Sequence, residues 1–147
     1  MIALIQRVTE ASVNVAGERI ARIGAGMLVL VGVEKQDSKD SAKALARRIL
    51  GYRIFADDQG RMNLDLLASG GALLLVPQFT LVADTAKGRR PGFSSAASPK
   101  QASALFDYLA SQVQPQLDEL ALGRFGADMQ VALVNDGPVT FWLRAEP

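Results

Sequence analysis

Two short segments of this chain are almost entirely apolar, and they restrict its fold more than any other feature. They are residues 27–33 (MLVLVGV) and 72–76 (ALLLV). A strand with one face in water alternates apolar and polar residues, and neither segment alternates. Each is therefore predicted to be a strand buried on both faces. The fold must accordingly contain a sheet that is covered by protein on both sides.

Further strands are predicted on both sides of these two segments. Residues 2–8, 11–15 and 18–23 are rich in branched side chains, and the glycines at 17, 24 and 26 mark turns near them. The second apolar strand is expected to continue as far as Leu81. Near the carboxyl end, strands are predicted at 129–134 and 139–143, with Asn-Asp-Gly-Pro at 135–138 as the hairpin turn between them.

Two helices interrupt the strand pattern. Apolar residues recur at helical spacing between Ser38 and Leu50. A second helix is predicted over 98–113, where Ser98 is the N-cap, Pro99 is the first helical residue and Gln101 completes a capping box. The segment 83–98 is polar, basic and rich in Gly and Pro, so it is predicted to be a long functional loop.

These elements predict an α+β fold. Strands outnumber helices and many neighbouring strands are hairpin-linked, which indicates a mainly antiparallel, barrel-like sheet with two principal helices. The 147 residues match the length of one domain, 1–147. The apolar runs are too short to span a bilayer, and the amino-terminal residues lack the features of a signal peptide. A cytoplasmic protein with no membrane partner is expected.

The composition excludes several kinds of chemistry. The chain has no Cys and no His, so it cannot form a disulfide, a thiolate nucleophile or a Ser-His-Asp relay. The acidic residues at 57, 58, 65 and 84 lack the spacing of a metal site, so no metal or other cofactor is expected. The net charge of +1 excludes a polybasic nucleic-acid tail, so any RNA must bind to a local patch.

Local patterns identify four groups of candidate residues but leave their roles open. Gln78, Phe79 and Thr80 follow a buried strand and offer a hydroxyl and backbone amides for an oxyanion, although strand propensity alone explains their presence. The cluster at 87–90 (KGRR) fits phosphate contact and a solvated loop equally well. Arg7 lies in an apolar strand, where its guanidinium needs either an ion pair or the carbonyls of a site loop. Gly137 and Pro138 read as part of a turn.

Motifs along nearly the whole chain resemble one family. They are 1–9 (MIALIQRVT), 11–13 (ASV), 51–55 (GYRIF), 78–81 (QFTL), 83–85 (ADT), 90–91 (RP), 125–131 (FGADMQV) and 135–140 (NDGPVT). In this order they resemble the bacterial D-aminoacyl-tRNA deacylases, also called the D-tyrosyl-tRNA deacylase family.

The resemblance implies a homodimer with active sites at its interface. It also implies hydrolysis of the ester between a D-amino acid and the 3′ end of tRNA, and removal of glycine mischarged onto tRNA-Ala. Gln78, Phe79 and Thr80 would form the catalytic pocket, while Arg7 and Met129 would belong to the substrate-binding set. Gly137-Pro138 would be a cis dipeptide that enters the partner's pocket and rejects L side chains.

One position departs from the family pattern, because Pro77 stands where the family usually has Ser. Proline removes a hydroxyl and an amide, which leaves Thr80 as the one side-chain hydroxyl candidate and requires an edge or bulge at this point of the strand. Two alternatives therefore stay open. One is a non-catalytic tRNA-binding dimer, and the other is a relative with a trans Gly-Pro bond and relaxed chirality.

Overall fold

The computed structural model describes residues 1–146, which form a six-stranded sheet, a two-stranded sheet and three α-helices. In chain order the strands and helices are β1 (Ile2–Val15), β2 (Glu18–Ile23), β3 (Gly26–Gly32), α1 (Lys39–Gly51), β4 (Phe55–Ala56), β5 (Met62–Leu64), α2 (Leu66–Ser69), β6 (Ala72–Pro77), α3 (Pro99–Val113), β7 (Leu120–Leu122) and β8 (Met129–Arg144). Two 3₁₀ turns are also present, Phe79–Val82 and Gln114–Gln116. No helix within residues 1–146 has the length and apolar character needed to cross a bilayer.

The long strand β1 organises the large sheet. Its first half pairs with β3, its second half pairs with β2, and β8 pairs with it along nearly its full length, all antiparallel. The pairs β3–β6 and β6–β7 are parallel. The predicted α+β class is confirmed and the sheet is mixed. Because β2 also packs against β6 and β7, the sheet is nearly closed. The prediction of separate strands at 2–8 and 11–15 was wrong, since both belong to β1.

The two apolar segments are strands buried on both faces, as predicted. One face of β3 and β6, which carries Val29 and Leu75, packs against α1 and α3. The other face, which carries Leu28 and Leu74, fills the inside of the curved sheet. Both predicted helices are confirmed. Burial of these strands on both faces fixes the position of the carboxyl end of β6, where the functional candidates begin.

The α3 cap differs from the prediction. The Ser98 hydroxyl accepts a hydrogen bond from the Gln101 amide at 3.3 Å. The Gln101 side chain does not return to Ser98, because it donates to the carbonyl oxygens of Lys35 (3.0 Å) and Asp37 (3.2 Å). The predicted capping box is therefore only half formed. Its second half is replaced by a tertiary contact that ties α3 to the loop before α1.

The predicted continuation of β6 to Leu81 was wrong, because the strand ends at Pro77 and the chain turns into the 3₁₀ segment Phe79–Val82. Gly32 of β3 explains the turn. A Cβ atom at Gly32 would lie 2.9 Å from Cγ1 of Val82, so the turn packs where only a glycine leaves room. The Gln78 amide still donates to the carbonyl oxygen of Val31 at 2.8 Å, which makes it the last sheet-like bond of this segment.

The predicted hairpin at 135–138 was also wrong. Residues 129–134 and 140–144 both pair with β1 and not with each other, so they form one strand that is interrupted by a bulge. Val8 pairs with Asn135 and Gln6 pairs with Thr140. Residues 136–139 therefore stand opposite Arg7 alone and form a segment called the 136–139 bulge below. A strand as long as β1 supplies partners for both halves of β8, which removes the need for a turn.

Candidate active site

A cavity of about 500 Å³ lies at the carboxyl end of β6. It brings together Gln78, Phe79 and Met129, three of the predicted site residues. Most of the side chains that line it are apolar, and the complete lining is Val76, Pro77, Gln78, Phe79, Ala96, Ala97, Pro99, Ala102, Phe125, Gly126, Ala127, Asp128, Met129 and Val131. Such a mostly apolar cavity with few polar groups suits a small organic group.

The 3₁₀ turn at the mouth of the cavity presents unused hydrogen-bond donors. Within residues 1–146 the backbone amides of Phe79 and Thr80 donate to no backbone or side-chain acceptor. The first amides of any helical turn lack internal partners, so these two remain available to a ligand. The Thr80 hydroxyl accepts a short hydrogen bond from the side-chain amide of Gln78. The turn can therefore donate two amides to an anionic oxygen beside a hydroxyl with a fixed position.

Two aromatic side chains at this mouth, Phe93 and Phe125, were not among the predicted site residues. Phe79 is exposed over 61% of its surface, and Phe93 packs against it with 5.2 Å between the ring centroids. Phe125 lines the cavity from the opposite side. Phe125 lies in one of the family motifs. Nothing in the local pattern around Phe93, in a long polar loop, distinguished it from a scattered surface aromatic residue.

Pro77 stands where the hydrogen bonds between β6 and the β7 segment stop. The last pair between β6 and β7 joins Leu75 to Leu122, and the Gly123 amide still donates to the carbonyl oxygen of Leu75 at 2.7 Å. The Gln78 amide points to β3, so an amide at residue 77 would point the opposite way, toward Gly123, and proline ends this ladder because it has no amide hydrogen. A Cβ atom at Gly123 would lie 3.2 Å from Cδ of Pro77. The proline ring thus occupies space that Gly123 leaves open. The expected edge or bulge is not found, because β6 lies between β3 and β7 with a regular register, and the proline is accommodated as the last residue of the strand.

The remaining predicted residues form a second cluster around the 136–139 bulge. Gly137 and Pro138 are exposed and are joined by a cis peptide bond, and Gly137 has a φ of +135°. A Cβ atom on Gly137 would lie 2.6 Å from Cγ2 of Val139 and 3.2 Å from Nη2 of Arg7. Both the backbone conformation and the crowding exclude other residues here.

Side chains hold this bulge from both ends. Arg7 donates from Nε to the carbonyl oxygen of Asp136 at 3.0 Å and from Nη1 to that of Ile54 at 2.9 Å. At the base, the Asn135 side chain accepts from the Val139 amide at 3.0 Å and donates to the Thr140 hydroxyl at 2.8 Å. Sequence analysis read Asn135 only as a turn residue. Arg7 was expected to form either an ion pair or hydrogen bonds to loop carbonyls, and it does both. Its Nε also lies 3.5 Å from Oδ2 of Asp136.

The predicted residues thus divide into two groups within one chain. Gln78, Phe79 and Met129 line the cavity and Thr80 stands beside it, whereas Arg7, Gly137 and Pro138 line none of it. The part of the chain that the structure describes has no cluster of three or more acidic side chains that could hold a metal ion. The chemistry available here is hydrogen bonding from backbone and side chains around an apolar cavity.

The matching family and the curated relatives of this chain are named for one activity. The family described as D-Tyr-tRNA(Tyr) deacylase matches residues 4–144. The chain is 59% identical over 144 residues to the D-aminoacyl-tRNA deacylase of Escherichia coli O1:K1 / APEC, covering 98% of this chain and 99% of that protein. The D-aminoacyl-tRNA deacylase of Shigella boydii serotype 18 (strain CDC 3083-94 / BS512) has the same identity and coverage.

Two solved structures share the fold. A c-Myc DNA unwinding element binding protein superimposes with a TM-score of 0.95 at 36% identity, with both chains fully covered. A probable eukaryotic D-amino acid tRNA deacylase superimposes with a TM-score of 0.83 at 18% identity and 97% coverage of each chain, which supports the fold alone. The match along 4–144 and the 59% identity to curated deacylases show that this chain belongs to the D-Tyr-tRNA(Tyr) deacylase family.

Proposed function

We propose that this protein hydrolyses the ester between a D-amino acid and the 3′ end of tRNA and releases both, and that it also removes glycine mischarged onto tRNA-Ala. As a member of a deacylase family, the chain is a hydrolase. The observation that carries the proposal is the pair of free amides of Phe79 and Thr80 at the mouth of an apolar cavity, in a chain 59% identical to D-aminoacyl-tRNA deacylases. Because the substrate is aminoacyl-tRNA, we expect the protein to act in the cytoplasm.

The proposed reaction is compatible with a chain that lacks His and Cys. An aminoacyl ester is already activated, and the ribose of the terminal nucleotide carries a hydroxyl beside the ester. Water attacks the ester carbonyl, the bond between the carbonyl carbon and the ribose oxygen breaks, and that oxygen leaves as a hydroxyl with a proton from the water, which the neighbouring ribose hydroxyl can relay. The amides of Phe79 and Thr80 stabilise the negative charge that develops on the carbonyl oxygen. The remaining rate acceleration over uncatalysed hydrolysis comes from positioning of the ester in the cavity. The Thr80 hydroxyl, which Gln78 holds in place, is the one side-chain hydroxyl assigned to the site.

Selection for D-amino acids is assigned to Gly137 and Pro138 of a second copy. Their carbonyl groups would capture the amino group of the substrate, and their rigid backbone would clash with an L side chain. A clash discriminates by penalising the wrong substrate and needs no specific contact with the right one. Glycine has no side chain, so it would not clash with the backbone of Gly137 and Pro138 and would be accepted as a substrate. The exposure of residues 136–138 and the hydrogen bonds that hold the bulge support this role.

This selection requires a homodimer, and three features of the surface support one. Within residues 1–146 the edge of β8 that faces away from β1 pairs with no strand. Large apolar side chains are exposed on β8, with Val134 at 49% and Trp142 at 54%, and Phe79 at the cavity mouth is exposed as well. Long exposed edges and apolar patches are usually covered by a partner. Light scattering at micromolar concentration tests this directly, since a monomeric mass would contradict it.

The test of activity measures hydrolysis of D-Tyr-tRNA, L-Tyr-tRNA and Gly-tRNA-Ala in parallel. The purified protein is used with each substrate in molar excess over the protein. Release from the D ester and from the glycine ester, with the L ester intact, is expected. Release from the L ester at a similar rate would contradict the assigned role of Gly137 and Pro138. Loss of the glycine activity alone would restrict the substrate class to D-aminoacyl esters.

A second candidate function is nucleic-acid binding without turnover. Pro77 in place of the family serine favours it, as does the likeness to a protein named for binding a DNA unwinding element. The experiment above separates the two functions. A binding protein would retain the charged tRNA, and the amount of amino acid released would not exceed the amount of protein.

A further inference from the structure

We propose that the loop between Asp84 and Gly92 binds the phosphate backbone of the tRNA through Lys87, Arg89 and Arg90. The proposal rests on the proposed function, since it takes tRNA as the substrate, and it assigns the part of the substrate that lies outside the cavity. Sequence analysis left this cluster undecided between phosphate contact and a solvated loop. The structure adds three observations that favour phosphate contact.

The first observation is that the loop is closed at its base. The amide of Asp84 donates to the carbonyl oxygen of Gly92 at 2.7 Å, and the amide of Gly92 returns the bond at 3.0 Å. The Asp84 carboxylate also accepts from the Ala86 amide at 2.9 Å. Gly88 has a φ of +76°, which allows the tight reversal at the tip. These bonds make 84–92 a hairpin-like loop that carries its three cations at an exposed tip.

The second observation is that these cations have no internal partner. Within residues 1–146, none of Lys87, Arg89 and Arg90 lies within 4.0 Å of a carboxylate oxygen, whereas Arg7, Arg22 and Arg144 do. In the same part of the chain Lys43 and Arg47 of α1 are unpaired as well, so the loop is distinguished by the density of its charges, three within four residues. Three like charges in four residues repel one another, and no intramolecular ion pair within residues 1–146 compensates this repulsion. The whole chain has a net charge of only +1, so this positive charge is local. A polyanion would relieve the repulsion and release its own counterions.

The third observation is that the loop is anchored to the cavity mouth. Phe93, which follows the loop, packs on Phe79 with 5.2 Å between ring centroids. The Ser95 hydroxyl donates to the carbonyl oxygen of Val82 at 2.6 Å, in the same 3₁₀ turn that carries the free amides. The loop tip therefore has a fixed place relative to the site of the ester. With the 3′ end of tRNA in the cavity, the preceding phosphates leave past this mouth, where contacts position the strand without reading its sequence.

The experiment compares Arg89→Gln/Arg90→Gln with a control of equal charge change, Lys43→Gln/Arg47→Gln, on the exposed face of α1. Binding of uncharged tRNA is measured over a range of salt concentrations. Hydrolysis is measured on D-Tyr-tRNA and on the 3′ ester of D-tyrosine with adenosine. For the loop variant, we expect KM for D-Tyr-tRNA to rise about tenfold. We also expect the plot of the logarithm of the association constant for uncharged tRNA against the logarithm of the salt concentration to become less steep, by about 1 per phosphate contact removed. Cleavage of the adenosine ester should stay unchanged.

Each other result overturns the proposal. If the loop variant and the α1 variant change the salt slope equally, the effect is one of overall charge. If the loop variant loses activity on the adenosine ester as well, the loop supports the cavity and not the tRNA. Failure of the proposed function is distinguishable from failure of this proposal. If the wild-type protein hydrolyses neither substrate, the proposed function fails, and the salt dependence of tRNA binding by the variants still shows whether the loop contacts phosphate.

Discussion

Arg7 donates from Nε to the carbonyl oxygen of Asp136, 129 residues further along the chain, at a distance of 3.0 Å. The same guanidinium reaches the carbonyl oxygen of Ile54 at 2.9 Å. It therefore joins the 136–139 bulge to the segment that leads into β4. A planar group with several donors in a fixed geometry can hold two carbonyl groups at once, and an ammonium group cannot do so with the same angles.

The first prediction concerns this arginine as a positioning residue. Arg7→Lys keeps the charge but loses one of the two carbonyl contacts. A hydrogen bond from a charged group contributes about 1.5–3 kcal/mol, and partial exposure of the side chain reduces this value, so we expect kcat/KM for D-Tyr-tRNA to fall roughly tenfold. Because the role proposed for the bulge is selection among substrates, the ratio of D-Tyr-tRNA to L-Tyr-tRNA hydrolysis should fall as well, which a purely structural role would not alter.

Arg22→Lys is the matched control for Arg7→Lys. Arg22 also lies near the curved sheet, but its contact is an exposed pair with Glu10 at 3.7 Å. Exposed pairs of this kind contribute about 0–1 kcal/mol, so activity and chirality should stay as in the wild type. Equal behaviour of the two variants would argue against a special role for Arg7.

The second prediction concerns Gly137→Ala. The added methyl group would meet Val139 and Arg7 at 2.6 and 3.2 Å, at a φ of +135° that L residues rarely adopt. We expect the bulge to move and D-Tyr-tRNA hydrolysis to drop about 100-fold or more, by the cost of 1–3 kcal/mol for such a conformation together with the clash. Gly51→Ala, where the new atom meets nothing within 4 Å, serves as the control. Full activity in Gly137→Ala would remove this residue from the site.

The sequence was sufficient for the elements that local physics determines. The apolar runs at 27–33 and 72–76 were predicted to be strands buried on both faces because nothing in them can face water, and both are. The helices around Ala42 and Leu105 followed from their spacing. The mixed character of the sheet did not follow, because parallel pairing of β3 with β6 is a matter of long-range topology that leaves no local pattern.

The site was harder to predict because its residues compete with stronger local signals. Asn-Asp-Gly-Pro at 135–138 has the composition of a turn, and only the length of β1 shows that both flanks are held in one strand. Thr80 has strand propensity, but packing of Val82 on Gly32 folds it into a 3₁₀ turn instead. In both places a tertiary contact overrides local propensity. Family motifs located these segments, whereas spacing alone could not assign their function.

The third prediction tests the hydroxyl of Thr80. In Thr80→Ser the hydroxyl remains and can still accept from the Gln78 side chain, so kcat should stay within about threefold of the wild type. Thr80→Val keeps the shape and removes the hydroxyl, and kcat should fall by roughly 10²-fold, the scale observed when one polar group that stabilises a transition state is removed. Single-turnover kinetics on D-Tyr-tRNA separate this loss from slow product release. Equal rates in the two variants would leave the backbone amides as the whole of the catalytic apparatus.

The fourth prediction concerns Pro77→Ser, which installs the residue usual in the family. The amide that serine restores would point toward Gly123, whose own amide bonds the Leu75 carbonyl at 2.7 Å, and Gly123 leaves room for the smaller side chain. The greater freedom of the unfolded chain lowers the free energy of unfolding by about 0.4–1 kcal/mol. A hydrogen bond from the restored amide would return about 0.5–1.5 kcal/mol, so we expect urea titrations to show a net change of about 1 kcal/mol or less. In the proposed site Thr80 supplies the hydroxyl, and the 3₁₀ turn keeps its contact with Gly32, so Pro77→Ser removes no group that stabilises the transition state. We therefore expect kcat to stay within about threefold of the wild type. If kcat of Pro77→Ser instead rises about tenfold, Pro77 displaces the amides of the 3₁₀ turn in the wild-type protein and lowers its rate.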